Sequence, residues 1–109
     1  MKTVTIRSQF RLRDALRAQI EERITATVAR FEDRLAWVAV QIRDVNGPKG
    51  GEDVEMVVRV RPTSGDVIVV KRIGLSVDDA LSRTCGTLRK LIRQRLGGIK
   101  PQRSLQKQF

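Results

Sequence analysis

Residues 44–53 read DVNGPKGGED and lie between two runs in which valine, isoleucine and methionine alternate with polar residues. A phosphate-binding P-loop ends in Gly-Lys-Ser/Thr and leads directly into a helix. Here Lys49 comes before a glycine pair, no serine or threonine follows, and the next run has the period of a strand. Asn46 and Gly47 tolerate the positive φ angles that tight turns require. The stretch therefore predicts a hairpin connection between two strands and argues against a nucleotide-binding loop.

The two runs that flank this connection each place their apolar residues on one face, as a half-buried strand does. The first is 37–43 and the second is 54–61. Turn residues at 63–66 then lead into a further strand over 67–72, and Val4 and Ile6 indicate a short opening strand. Because the last three strands follow one another through short turns, we expect them to form an antiparallel meander.

Two helices complete the predicted pattern. Apolar residues recur at helical spacing from about 12 to 34, which predicts a long amphipathic helix. A second helix follows Ser76, whose side chain is placed to cap it, with Asp79 in the capping-box position. Its apolar stripe is Val77, Leu81, Cys85, Leu88, Ile92 and Leu96, and Gly97 and Gly98 end it.

The order β-α-β-β-β-α predicts an α+β fold in which a four-stranded sheet carries both helices on one face. Each strand has a single apolar face, so the opposite face is expected to present Arg7, Arg43, Arg59 and Arg61 to solvent. We expect one domain over residues 1–97 and a flexible basic C-terminal tail over 98–109, where no periodicity continues.

The charge of the 109-residue chain is strongly uneven. It has 22 Lys and Arg against 12 Asp and Glu, a net charge of +10. Eight of the basic residues and none of the acidic ones lie from Arg83 onward. Such a field favours a polyanionic partner, either nucleic acid or, as the alternative, an anionic membrane surface met by an amphipathic helix. Sixteen arginines among the basic residues favour nucleic acid, because the guanidinium fork pairs with phosphate.

The sequence gives little support for an enzyme. It has no histidine, and its one cysteine, Cys85, falls on an apolar helix stripe. Asp78 and Asp79 are explained by capping a helix N-terminus. Asp44, Glu52 and Asp53 flank the predicted hairpin loop and leave a shared cation as a remote alternative. We therefore predict no catalytic residue, metal, cofactor or small-molecule substrate. The lone cysteine, and the lack of a signal peptide or of a membrane-length apolar stretch, predict a cytoplasmic protein.

The candidate RNA-binding residues are basic and lie mainly on the two helices. On the second helix Arg83, Arg89, Lys90 and Arg93 fall within an arc of roughly 120° opposite the apolar stripe. The further candidates are Arg95 at the border of that stripe, Arg23, Arg30 and Arg34 along the first helix, and Lys49 in the hairpin. Aromatic residues are few, and only Trp37 is placed on a strand, so phosphate and shape recognition is expected to dominate over base stacking.

Three stretches resemble the ribosome hibernation promoting factor family, also described as ribosome-associated inhibitors or sigma-factor modulation proteins. They are VTIRSQFRLRDALRAQIEERI at 4–24, WVAVQIRDVNGPKGGED at 37–53 and SVDDALSRTCGTLRKLIRQRL at 76–96. The resemblance covers about residues 2–96. The chain departs from the family pattern at Thr87 and Gln94, where the family usually has lysine, and lacks the tyrosine often found near the start of this helix.

The resemblance implies a β-α-β-β-β-α fold and binding to the small (30S) ribosomal subunit between head and body. There such proteins contact 16S ribosomal RNA, by position through Lys90 here, overlap the tRNA and mRNA path and silence translation during stress or stationary phase. Longer relatives carry a C-terminal dimerisation domain, so the chain is expected to be a short form and a monomer when free. Two alternatives stay open: a protein-interaction module that regulates a transcription or stress factor, and a general RNA-binding module.

Overall fold

The computed structural model describes residues 4–45 and 53–97. They form four strands, two α-helices and one 3-10 helix. The strands are β1 (Val4–Ser8), β2 (Leu35–Asp44), β3 (Val54–Pro62) and β4 (Ile68–Gly74), and the helices are α1 (Asp14–Val28), the 3-10 helix Ala29–Arg34 and α2 (Val77–Leu96). The predicted α+β order is confirmed.

The sheet is mixed, with the strands in the order β1-β2-β3-β4. β2, β3 and β4 form the expected antiparallel meander. β1 runs parallel to β2, since α1 carries the chain from one strand to the other. The predicted hairpin turn and Lys49 lie outside the described residues. The chain enters and leaves that connection with Val45 donating its N–H to the carbonyl of Asp53 at 3.2 Å.

One face of the sheet is covered by both helices, as the alternation in the strands predicts. The inward residues of the central strands, such as Val40, Met56 and Val58, are at most 2% exposed. Ile20 and Ile24 of α1 and Leu81, Leu88 and Ile92 of α2 close over them, each at most 1% exposed. Burial of this size stabilises the fold by roughly 1.5–3 kcal/mol for each large side chain. The helices therefore have fixed sides, one toward the sheet and one toward solvent.

The prediction of one α-helix over about 12–34 is wrong at its C-terminal end. α1 ends at Val28, and a 3-10 helix continues to Arg34. Thr25, Thr27 and Val28 are β-branched, which lowers helix propensity, and the Thr27 hydroxyl donates to the carbonyl of Arg23 at 2.8 Å. The N–H of Ala29 then bonds to Ala26, three residues back, which begins the tighter 3-10 turn. The residues after Val28 consequently leave the line that a continuous α-helix would give them.

At Gly74 the sheet and α2 approach each other closely. A Cβ atom at this position would lie 2.4 Å from the backbone N of Ala80, a separation that side chains do not adopt. Gly86, exposed in the middle of α2, has nothing within 4 Å of the same atom. The two glycines thus occupy opposite steric environments in one part of the fold.

We predict that Gly74→Ala lowers the free energy of unfolding by about 1–3 kcal/mol, because the added methyl group meets backbone that cannot move aside. Gly86→Ala is the matched control and should raise it by about 0.5–1 kcal/mol through better helix propensity. Urea denaturation followed by circular dichroism measures both changes. Equal effects of the two substitutions would contradict the close packing of α2 on β4.

Candidate nucleic-acid interface

α2 begins with the predicted cap. The Ser76 side chain accepts a hydrogen bond from the N–H of Asp79 at 3.1 Å, and the Asp79 carboxylate accepts one from the N–H of Leu75 at 2.8 Å. This arrangement satisfies N–H groups that have no partner within the helix. It fixes where α2 starts and therefore which of its residues face the sheet.

The rotation of α2 places its basic residues on the solvent side. The residues turned to the core are Ala80, Leu81, Thr84, Cys85, Leu88 and Ile92, all buried. Arg83, Arg89, Lys90, Arg93 and Arg95 are all exposed. The predicted apolar stripe is thus correct at its centre, and the structure adds Ala80 and Thr84 on the side toward β4.

A groove runs where the solvent sides of the two helices meet. Its walls enclose a pocket of about 90 Å³. We call this site the inter-helix groove, and its lining residues are Ala26, Thr27, Arg30, Phe31, Arg89 and Arg93. Arg89 and Arg93 lie one turn apart on α2, while Arg30 faces them from the 3-10 helix. Three of the predicted residues are therefore brought together from two elements.

The inter-helix groove is positively charged without compensation from its own lining. None of its lining residues is acidic. Within the described part of the chain, the side chains of Arg30, Arg89 and Arg93 make neither a hydrogen bond nor an ion pair. Three arginines that line one recess repel one another, and an anion bound in the recess relieves that repulsion. Phosphate suits the site because guanidinium binds it in a bidentate fashion.

Arg83 differs from the groove arginines because it is already paired. Its Nε lies 3.2 Å from Oδ2 of Asp79, one helical turn earlier. The hydrogen bond from the Leu75 N–H and the interaction with Arg83 hold the pKa of Asp79 below its usual value of 3.8. Asp79 therefore stays ionised at neutral pH and offsets the charge of Arg83.

Arg34 is also engaged, in a contact within the fold. Its Nη1 donates to the carbonyl of Leu96 at 2.5 Å, where α2 ends and its carbonyls lack intrahelical partners. A cation at a helix C-terminus is favourable to the helix dipole. Arg34 thus joins the 3-10 helix to the end of α2, the two elements that carry Arg30 and Arg93.

The remaining described candidates lie outside the groove. Arg23, Lys90 and Arg95 are exposed but do not line the pocket. The carbonyl of Arg23 instead lies 4.0 Å from Sγ of Cys85, where α1 contacts α2. The expected line of Arg23, Arg30 and Arg34 along one helix is wrong, because the last two lie in the 3-10 helix.

Sequence reasoning missed the groove's uncharged lining. Thr27 and Phe31 are partly buried there, and Ala26 leaves room beside them. Phe31 appears in the sequence as one more apolar residue of a helix stripe. The run of β-branched residues before Ala29 is the signal for the change in helix type that brings Phe31 and Arg30 to the groove.

Features of other site classes are few in the described residues. Residues 4–45 and 53–97 contain no cluster of three or more His, Cys, Asp or Glu that could hold a metal ion. Asp44 and Asp53 line a separate pocket of about 340 Å³ with apolar neighbours, and Glu52 lies outside the described residues. Among the described helices, none is long and apolar enough to cross a membrane.

Comparison with known proteins gives structural likeness only. No protein-family profile matches the chain, and no curated sequence matches it. The fold is similar to the N-terminal domain of Thermus thermophilus Protein Y, with a TM-score of 0.67 and 15% identity over 86% of this chain and 97% of that one. It is also similar to a ribosomal subunit interface protein from Coxiella burnetii, with a TM-score of 0.58 and 15% identity over 86% and 92% of the two chains.

These likenesses establish the class of fold. At 15% identity the shared feature is the β-α-β-β-β-α architecture with both helices on one face of the sheet. Both structures are consistent with the ribosome hibernation promoting factor family, to which the sequence has its resemblance.

The Asp79 carboxylate gives a prediction about acid stability. Its folded pKa is lowered, so its stabilising contribution is present above the unfolded value near 3.8 and is lost as pH falls through the lower folded value. We expect Asp79→Asn to lower the melting temperature at pH 7 and the difference from wild type to shrink below about pH 4. Thermal unfolding from pH 7 to pH 2.5 measures this. A difference that stays constant at all pH values would contradict the ionised contact.

Proposed function

We propose that the chain is a non-enzymatic, cytoplasmic ribosome-binding protein that occupies the decoding region of the small subunit and silences translation under stress. The observation that carries this proposal is the inter-helix groove, which three arginines line together and whose lining contains no acidic residue. The fold likeness to a ribosomal subunit interface protein supports the ribosome as the partner. The groove would receive a phosphate-rich segment of 16S ribosomal RNA.

The groove suits recognition of a backbone better than recognition of a base sequence. Packed helices lie about 8–10 Å apart, so side chains on their outer faces reach toward one strand of phosphates from both sides. Arg30 from one wall and Arg89 and Arg93 from the other can hold that strand by charge-assisted hydrogen bonds. Such contacts fix the position of the protein on RNA and carry no sequence information.

The basic residues outside the groove have different shares in this mechanism. Lys90, Arg95 and Arg23 add to the field that steers association, since they are exposed outside the groove. Arg83 contributes less because Asp79 offsets its charge. Arg34 acts mainly by joining the 3-10 helix to the end of α2 through Leu96. Lys49 stays a candidate contact from the hairpin.

The direct test is sedimentation of the purified protein with 30S subunits through a sucrose gradient, with tRNA as competitor. We predict that the wild type co-sediments and is displaced by excess tRNA, whereas Arg89→Glu/Arg93→Glu stays at the top of the gradient. Arg11→Glu/Arg13→Glu is the control, because it changes the net charge equally at exposed sites away from the groove. If both variants lost binding equally, the interaction would depend only on net charge, which would contradict a role for the groove.

Substitution of single arginines by glutamine tests how much each one contributes to phosphate binding. We predict that Arg93→Gln reduces the slope of log K against log salt by about one, as expected for one lost phosphate contact. Arg83→Gln should change it clearly less, because Asp79 already competes for that guanidinium. Binding titrations with 30S subunits at several salt concentrations measure both slopes. Equal effects would contradict the pairing of Arg83.

The same titrations separate the two alternatives from the proposal. A regulatory protein–protein interface depends on salt much less steeply than a phosphate interface. A general RNA-binding module should be competed as well by naked RNA as by intact 30S subunits. We expect steep salt dependence together with poor competition by naked RNA.

A further inference from the structure

The sheet face away from the helices is a second basic surface. We call it the outer sheet face. Its charged members in the described strands are Arg7, Arg43, Glu55, Arg59, Arg61 and Lys71, one acid among five bases. No helix covers this face, and the arginines on it are exposed as the sequence predicts. Its basic residues lie on the opposite side of the sheet from the inter-helix groove, so they do not contribute to that site.

The single acidic residue of the outer sheet face forms ion pairs with two of its basic residues. Glu55 is 6% exposed, its Oε1 lies 2.9 Å from Nε of Arg43, and its Oε2 lies 3.8 Å from Nζ of Lys71. This cluster at one end of the face offsets part of the charge there. Arg7, Arg59 and Arg61 make no ion pair or hydrogen bond through their side chains within residues 4–45 and 53–97. Of these arginines, Arg59 and Arg61 lie toward the other end of the face, whereas Arg7 is in register with Gln41 and lies near Arg43.

Trp37 lies beside two of these arginines, Arg59 and Arg61, and its ring is partly open to solvent. It is 42% exposed on β2, an unusual state for so large an apolar side chain. Arg61 of β3 is its direct cross-strand partner, and the next pair along is Ala39 with Arg59. Side chains paired in this way have Cβ atoms about 4.5–5.5 Å apart. Ala39 leaves space beside the indole ring for a flat group.

A partly exposed aromatic ring beside free arginines on an open sheet is how proteins hold unpaired nucleotides. One base stacks on the ring while the arginines meet the phosphates on either side. We propose that the outer sheet face binds a single-stranded RNA segment, with a base on Trp37 and phosphates on Arg59, Arg61 and Arg7. The inference rests on the proposed function only in taking RNA as the partner. It assigns the protein two RNA-binding faces on opposite sides.

The other reading of this face is a protein contact through its exposed apolar residues. Val69 and Ile73 are 51% and 50% exposed, but both lie on the edge strand β4. Trp37 lies on β2, with β3 and its arginines in between. Protein interfaces are depleted of charge at their centre, whereas the surroundings of Trp37 are charged. The arrangement therefore favours RNA at Trp37.

Trp37 is the chain's one tryptophan, so its fluorescence reports on this face alone. The experiment titrates the full chain with oligouridine of about ten nucleotides, a length in the range that single-strand sites cover. Tryptophan emission and the anisotropy of end-labelled RNA are recorded together. We expect stacking to quench the emission in step with the rise in anisotropy. Anisotropy that saturates while the emission stays unchanged would overturn the proposal and leave the face to a protein contact.

Two variants locate the binding. Arg59→Gln/Arg61→Gln should lower the slope of log K against log salt by about 1.4 and weaken the quenching, as expected for two lost phosphates on a single strand. Trp37→Ala should weaken binding by about five- to a hundredfold in anisotropy at low salt. Arg11→Gln/Arg13→Gln is the matched control, because it removes two exposed arginines that lie on neither proposed surface, and it should leave the quenching intact. Quenching that the sheet variant keeps at full strength, or that the control weakens equally, would refute the proposal.

The outcome is independent of the test of the proposed function. If the wild type sediments with 30S subunits but RNA leaves Trp37 unquenched, only the outer sheet face is excluded. If RNA quenches Trp37 while the chain fails to sediment with 30S subunits, the sheet site stands and the ribosomal assignment fails. Circular dichroism melting curves confirm that each variant is folded before either result is read.

Discussion

The burial of one side of α2 against β3 and β4 determines where the charged residues of this helix point. Leu81, Leu88 and Ile92 are held in the core, so the helix cannot rotate without exposing them. The cap at Ser76 fixes the start of the helix, and Arg34 holds its last carbonyl. Arg89 and Arg93 are thereby directed to the groove, whose lining contains no acidic residue. Hydrophobic packing thus holds these like charges near one another in spite of the repulsion between them.

The sheet has the complementary property of leaving one face without a helix. Strand alternation sends apolar residues to the helices and polar ones outward, so the basic residues of β2 and β3 collect on the open side. The fold is thus basic on both of its broad surfaces for different reasons. On the helical side convergence of two elements produces the groove. On the sheet side the cross-strand register places Arg61 beside Trp37.

Strand alternation and helix capping were sufficient to predict the fold, because both are local patterns with clear periods. The candidate site was predictable only in part. The basic face of α2 follows from helical spacing. Which arginines are free and which are already paired depends on contacts in the folded structure: Asp79 offsets the charge of Arg83, and the carbonyl of Leu96 accepts a hydrogen bond from Arg34. The grouping of Arg30 with Arg89 and Arg93 depends on the 3-10 helix after Val28. Helical spacing alone predicted a line of Arg23, Arg30 and Arg34 on one helix. The prediction for Lys49 falls outside the described residues.

The central claim is that the inter-helix groove faces 16S ribosomal RNA in the decoding region. Directed hydroxyl-radical cleavage tests it with an iron chelate tethered at Glu22→Cys, exposed one turn from Ala26 of the groove. The unmodified chain is the control, because its one cysteine is buried and should not take the probe. The account predicts strong cuts in 16S ribosomal RNA clustered around the decoding region. Cuts confined to distant parts of the subunit, or none above the control with bound protein present, would contradict it.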